Sequence, residues 1–166
     1  MIRSIIITVL LVVACMFSGC GVISPEAEKL KSNVSTYEKQ KDISKTILEM
    51  LVNRDSSGLY DMFSSYKREN ESIDNQIDEL FALYDFSEFD MEQVEYNSVN
   101  GEQTYRDGRI VFMTLSDTMK NIRDNDDIEV WISYYYIVTD EKEPNKEGLV
   151  GLTIIRVEDK NRFRVG

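Results

Sequence analysis

The chain contains no histidine, and only two cysteines and two prolines among its 166 residues. Without imidazole there is no Ser-His-Asp or Cys-His nucleophile and no His-ligated zinc. No unperturbed side chain changes charge near neutrality either. Any chemistry falls to carboxylates, tyrosines, lysines and serines. Both cysteines, Cys15 and Cys20, lie in the first twenty residues, so the rest of the chain can form no disulfide and must be held by its core. Basic charge is scarce too: 19 Lys and Arg against 30 Asp and Glu leave a formal charge of −11. That balance argues against nucleic acid and anionic lipid, both polyanions, as partners. The longest apolar stretch, Ile5 to Phe17, is interrupted by Thr8 and falls short of the roughly 20 residues a transmembrane helix needs.

What the N-terminus does have is ordered. Arg3 supplies one positive charge, Ile5 to Phe17 an apolar region, and Ser18-Gly19 a small pair directly before Cys20. This is the layout of a secretory signal peptide. Phe17-Ser18-Gly19-Cys20 resembles the bacterial lipobox, with Phe17 in place of the usual leucine. The resemblance implies a signal peptide over residues 1–19, a diacylglyceryl group on Cys20, and a location on the outer face of the cytoplasmic membrane. A diacylglyceryl thioether supplies two acyl chains, which suffices for stable anchoring. Two alternatives compete. An ordinary secretory signal makes the cysteine after the cut a coincidence. Val12-Val13-Ala14-Cys15 also places small residues before a cysteine, but leaves a shorter apolar region and Met16-Phe17 near the new terminus. Cleavage before Cys20 leaves 147 residues with a charge of −12, the size of one domain. Abundant Ile, Lys, Asn, Glu and Tyr suggest an AT-rich, Gram-positive type of genome.

Residues 20–41 are expected to be a lipid-anchored spacer with partial helicity, starting a helical turn at Ser24-Pro25-Glu26. The folded domain is expected over 42–166. Ile43, Ile47, Met50 and Leu51 repeat at helical spacing, and Arg54 to Gly58 interrupt them. A short helix carrying Leu59, Met62 and Phe63 follows. A third, with Ile73, Ile77, Leu80, Phe81 and Tyr84 on one face, ends at Asp85–Phe89. The period then becomes alternating: strands are expected at Met91–Val99, Ile110–Ile122, Ile128–Thr139 and Leu149–Glu158, with turns at Asn100-Gly101 and Asp107-Gly108. Three helices packed on one face of a curved four-stranded antiparallel sheet is an α+β fold.

Three helices followed by long meandering strands resemble the nuclear transport factor 2-like (cystatin-like) cone. More narrowly, Leu51-Val52-Asn53-Arg54-Asp55 leading to Leu59-Tyr60-Asp61-Met62-Phe63-Ser64, with Glu147 to Leu152 late in the chain, resembles a family of Gram-positive lipoproteins of unknown function. The resemblance covers residues 42–160 and rests on packing and turn residues. It carries over no catalytic residue, and the broader fold hosts enzymes, transport factors and accessory modules alike.

Alternation separates the two sheet faces. Val111, Met113, Leu115, Asp117 and Met119 share one face, as do Ile128, Val130, Ile132, Tyr134, Tyr136 and Val138; both rows are expected to face the helices. Asp117 is a carboxylate in an apolar row. It is either a buried base or ligand acceptor, or a structural residue that sits near a strand end or bulge or accepts a hydrogen bond from a nearby tyrosine. Tyr134 and Tyr136 are the accompanying ligand-binding candidates. Trp131 and Tyr135, with Glu129 and Ser133 on the opposite face, are the candidates for a partner interface. Sheet packing accounts equally well for all four aromatics. Asp124-Asn125-Asp126-Asp127 lacks EF-hand spacing and reads as a solvated hairpin tip. No motif calls for a cofactor or metal. The leading expectation is a membrane-anchored module that binds a small ligand or an envelope protein. The alternative is an isomerase- or dehydratase-like enzyme using Asp117 and tyrosines.

Overall fold

The computed structural model describes residues 25–86, 90–96 and 100–166, with side chains from Ser35 onward. Helix α1 (Pro25–Val52) is continuous across Asp42, with proline in its first turn. Contacts set Thr36–Gly166 apart as one compact unit from residues 1–35, and the description below concerns the larger unit. Within it Thr36, Gln40, Ser44, Ile47, Leu48 and Leu51 are the buried residues of α1, spaced at three and four.

The turn after α1 depends on Arg54, which adopts the left-handed conformation at φ 52°. Asp55 N–H donates to Met50 O at 2.9 Å and Arg54 N–H to Leu51 O at 3.2 Å, which is a Schellman ending with arginine where glycine is usual. The guanidinium recovers part of that cost by donating to Phe81 O and Tyr84 O at the C-terminus of the last helix. Asp55 then caps α2 (Ser56–Met62) by accepting from Gly58 N–H at 2.8 Å. Ser64 caps a helix absent from the sequence expectation, α3 (Ser65–Asn70). Helix α4 (Ile73–Leu83) buries Ile73, Ile77, Leu80 and Phe81, with Tyr84 also buried just beyond its end.

The sheet has six antiparallel strands rather than the four expected: β1 (Glu95–Tyr96), β2 (Gln103–Arg106), β3 (Arg109–Arg123), β4 (Glu129–Asp140), β5 (Gly148–Arg156) and β6 (Arg162–Val165). Their order is β1-β3-β4-β5-β6, and β2 also pairs β3, so β1 and β2 take opposite ends of one edge. The expected strand at Met91–Val99 starts later, at Glu95, because Asp90 caps a 3₁₀ turn over Met91–Gln93; residues 97–99 lie outside the description. Asp107 and Gly108 both have positive φ, 51° and 77°, and form the two-residue hairpin between β2 and β3.

One core joins the helices to the sheet. Ile47, Leu48, Leu51, Leu59, Phe63, Ile77 and Leu80 pack with Met119, Ile122, Val130, Ile132, Leu152, Ile154 and Val165. Alternation on β4 holds as far as Tyr135. A bulge between Tyr135 and Tyr136 then shifts the phase, so Ile137 is buried and Val138, expected inward, is only half-buried. Among the described residues no helix is long and apolar enough to cross a membrane.

Candidate functional site

The buried stripe of α1 changes character along its length. Ile47, Leu48 and Leu51 are apolar; one turn earlier the same stripe continues as Ser44, Gln40 and Thr36, all buried. Opposite them stand Asp117 of β3 and Tyr134 of β4, cross-strand partners in the sheet register. Ser44 Oγ donates to Asp117 Oδ2 at 2.9 Å and lies 3.0 Å from the Tyr134 hydroxyl. Tyr134 O–H donates to the Gln40 backbone carbonyl at 3.0 Å, and Thr118 N–H donates to Asp117 Oδ1 at 2.7 Å. A turn further along, Gln103 Nε2 of β2 donates to Thr36 Oγ1 at 2.7 Å. The result is a polar seam between α1 and the sheet. Burial, and next the Asp117 carboxylate, push the Tyr96 hydroxyl above its ordinary pKa. Burial also raises Tyr134, where the Ser44 hydrogen bond opposes it and Asp117 adds to it.

Asp117 and Tyr134 are therefore brought together and buried, at 4% and 3% exposure. Tyr136 is not part of this group. It lies half-buried beyond the bulge, lining a cleft of about 360 Å³ with Phe63, Arg68, Pro144 and Glu147. Burial and then Glu147 raise its hydroxyl pKa. Ser44 and Gln40 were not singled out in the sequence, although they stand four residues apart in line with Ile47 and Leu48.

Trp131 and Tyr135 lie on the other face of the sheet. Lys120 Nζ sits 4.6 Å above the Trp131 ring, and Trp131 Nε1 donates to Glu129 at 2.9 Å. Tyr135 is exposed and pairs in register with Gly151, over which the Arg164 guanidinium lies: a Cβ there would meet its NH2 group at 3.3 Å. Beside them Thr118 and Ser133 share a hydroxyl hydrogen bond at 2.9 Å, and Thr153 follows in register. Arg162 and Arg164 are exposed on β6 and have no ion-pair partner among the described residues. Cys20, the expected attachment point of the lipid, lies outside the described residues.

At the β3–β4 tip, the acidic run is not uniformly solvated as expected. Asp124 is buried: its Oδ1 accepts Asp126 and Ile128 N–H at 3.1 and 3.0 Å, and its Oδ2 takes Arg156 at 3.0 Å. Asp126 and Asp127 are exposed. A cleft of about 490 Å³ lies there, lined by Arg54, Tyr84, Asp85, Asp124 and Asp126.

These features define an α+β domain with a closed polar seam on its helical side and an aromatic, basic sheet face on the other. The chain belongs to the family described as "Domain of unknown function (DUF5104)", whose model matches residues 45–157. That span includes Asp117, Tyr134 and the Trp131–Tyr135 strand. No curated protein matches the chain.

Proposed function

We propose that the chain is a lipid-anchored, extracytoplasmic accessory module with a nuclear transport factor 2-like fold, and that it docks an acidic segment of a partner protein on its outer sheet face. The observation that carries this reading is a pair of cations: Arg164 lies over Gly151 next to Tyr135, and Arg162 is in register with Ile155 and so with Trp131. Both are exposed and without acidic partners among the described residues, on a chain whose charge is −11. Cations left unpaired among so many carboxylates favour an anionic surface, and a neighbouring tyrosine offers a large contact area at small entropic cost. Gly151 leaves the floor of the patch bare, so Arg164 lies flat across it. The address comes from the signal-like N-terminus and the lipobox-like run ending at Cys20, and the composition suits a Gram-positive source.

The enzyme alternative asks Asp117 and Tyr134 to face a substrate. Both are almost fully buried and bonded to Ser44, and neither lines the clefts described above, so binding is the better reading. The test is a photo-crosslinking residue at position 135 in the membrane-bound protein, with a second at the exposed, helical position of Asp78 as control. Crosslinks from 135 alone, to an acidic segment and lost in Arg164→Glu, are expected. Equal crosslinking from position 78, or a target segment without acidic residues, would overturn the proposal.

A further inference from the structure

Strand β6 ends the sheet on one side, and the register shows which of its backbone groups reach β5. Arg156 N–H donates to Asn161 O at 3.0 Å, so these two residues form a hydrogen-bonded pair just before β6. Ile155 with Arg162, Ile154 with Phe163, Thr153 with Arg164 and Leu152 with Val165 continue the same register. Bonded and non-bonded pairs alternate along an antiparallel ladder. Phe163 and Val165 therefore turn their N–H and C=O groups to β5, while Arg162 and Arg164 turn theirs to the outer edge. The neighbouring ladder agrees: Val157 N–H donates to Glu129 O at 3.0 Å, which commits Ile155 and Thr153 to β4 and leaves Ile154 and Leu152 for β6. Among the described residues no hydrogen bond reaches the backbone of Arg162 or Arg164 from the outer side. The side chains alternate in step. Arg162 and Arg164 are exposed, Phe163 is half-buried with its ring 6.4 Å from that of Tyr84, and Val165 is fully buried.

An unpaired edge is a template for another strand, and charge on a short edge strand is a common protection against indiscriminate pairing. Two arginines at i and i+2 exclude a second copy of β6, which would set arginine against arginine. They exclude other cationic strands for the same reason. An acidic strand is admitted. We propose that β6 takes an extended acidic segment of a partner protein as an added strand, with acidic side chains opposite Arg162 and Arg164 and an apolar one between them opposite Phe163. The inference rests on the acidic-partner reading above and adds the mode of binding to it. Main-chain hydrogen bonds at the edge supply affinity, and the alternation of β6 sets the pattern of the partner, acidic-apolar-acidic.

The probe is a synthetic peptide, Thr-Glu-Val-Glu-Val-Glu-Thr, acetylated and amidated at its ends. Its binding to the full-length protein is read by the fluorescence of Trp131, the only tryptophan in the chain. Saturable binding that weakens with salt and falls by about tenfold or more in Arg164→Glu is expected. Two N-methylated versions separate edge pairing from attraction by charge alone, one methylated on the glutamate amides and the other on the valine amides. A paired strand turns only one of these sets toward β6. One version should therefore bind about tenfold or more weakly and the other like the parent peptide. Loss with the glutamate set marks an antiparallel strand, and loss with the valine set a parallel one. Amide hydrogen exchange at Arg162 and Arg164 should slow in the complex by more than at Phe163 and Val165, which are already bonded to β5. Equal binding of the two methylated peptides, or no slowing at Arg162 and Arg164, would overturn edge addition; with the Arg164→Glu loss retained, the acidic-partner reading would still stand. No binding of the parent peptide would overturn the proposal as well. Binding indifferent to Arg164→Glu would overturn both the proposal and the reading it rests on.

Discussion

Arg156 of β5 reaches back across the sheet to Asp124 at the β3–β4 turn, with Nη2 3.0 Å from Oδ2 and only 3% of the Asp124 side chain exposed. The same carboxylate accepts two backbone N–H groups of its own loop, so a single residue sets the hairpin and ties it to a strand more than thirty positions away. Removing one partner of a buried pair leaves the other uncompensated, at a cost of several kcal/mol. Arg156 is partly open to water, which places this pair at the lower end. Asp124→Ala should lower unfolding stability by about 2–3 kcal/mol in urea titration, and Asp124→Asn by less, because the amide oxygen keeps the loop bonds. Glu69→Ala, at an exposed helical residue with no ion pair among the described residues, should change stability by no more than about 0.5 kcal/mol.

Gly148 begins β5 at φ 122°, and a Cβ there would stand 2.9 Å from both Met62 O and Ser64 N. The strand starts where the chain between α2 and α3 crosses it: Ser64 N–H donates to Leu149 O at 3.0 Å. Backbone, not a movable side chain, blocks the added atom. Gly148→Ala is expected to destabilise by about 2–4 kcal/mol, combining an unfavourable φ with steric displacement. Gly108→Ala, where φ is 77° but the surrounding space is open, should cost only about 1 kcal/mol. The comparison, read by chemical denaturation, separates strain from crowding.

Apolar periodicity made the helices and the long strands legible. Ile73, Ile77, Leu80 and Phe81 are buried as their spacing requires, and Asp107-Gly108 forms the turn its residue types favour. Strands β2 and β6 were missed because Gln103-Thr104-Tyr105-Arg106 and Arg162-Phe163-Arg164-Val165 are short edge strands whose polar side chains face solvent. The bulge at Tyr135/Tyr136 leaves no trace in a run of three tyrosines, so Val138 was placed on the wrong side of the phase shift. Asp117 stood out as a polar residue in an apolar row. Its partners Ser44 and Gln40 did not, because a search for an apolar stripe passes over polar residues that continue it. Pairing across the sheet, as between Asp124 and Arg156, depends on register that no local pattern encodes.

Tyr134 carries the pH dependence. Burial holds its hydroxyl above its ordinary value of 10.0, so above that pH the unfolded chain releases a proton that the native state keeps. Stability should therefore be insensitive to this group below about pH 10. Above it, stability should fall by about 1.4 kcal/mol per pH unit until the folded-state value is reached. Tyr84, Tyr96 and Tyr136 are raised as well, each first by burial, and steepen the fall over narrower windows. Tyr134→Phe should lose about 1 kcal/mol at neutral pH and flatten the alkaline limb. Equilibrium unfolding between pH 8 and 11 measures both effects, and an unchanged slope in the variant would show that Tyr134 titrates as it does in the unfolded chain.

Cys20 bears on location rather than on fold. A processed chain with 18 basic and 30 acidic residues has no general electrostatic hold on an anionic bilayer, and a single acyl chain would give only reversible attachment. On the proposed anchoring, stable membrane retention would depend on both chains of a diacylglyceryl thioether at one sulfur. Cys20→Ala is expected to abolish incorporation of labelled fatty acid and either to shift the protein into the medium or to leave its leader uncleaved. Cys15→Ala should leave labelling and retention unchanged. Fractionation with mass spectrometry of the N-terminal peptide reads each outcome. Normal maturation with undiminished membrane retention in Cys20→Ala would remove the anchor, and retention lost in Cys15→Ala instead would move the cut five residues upstream.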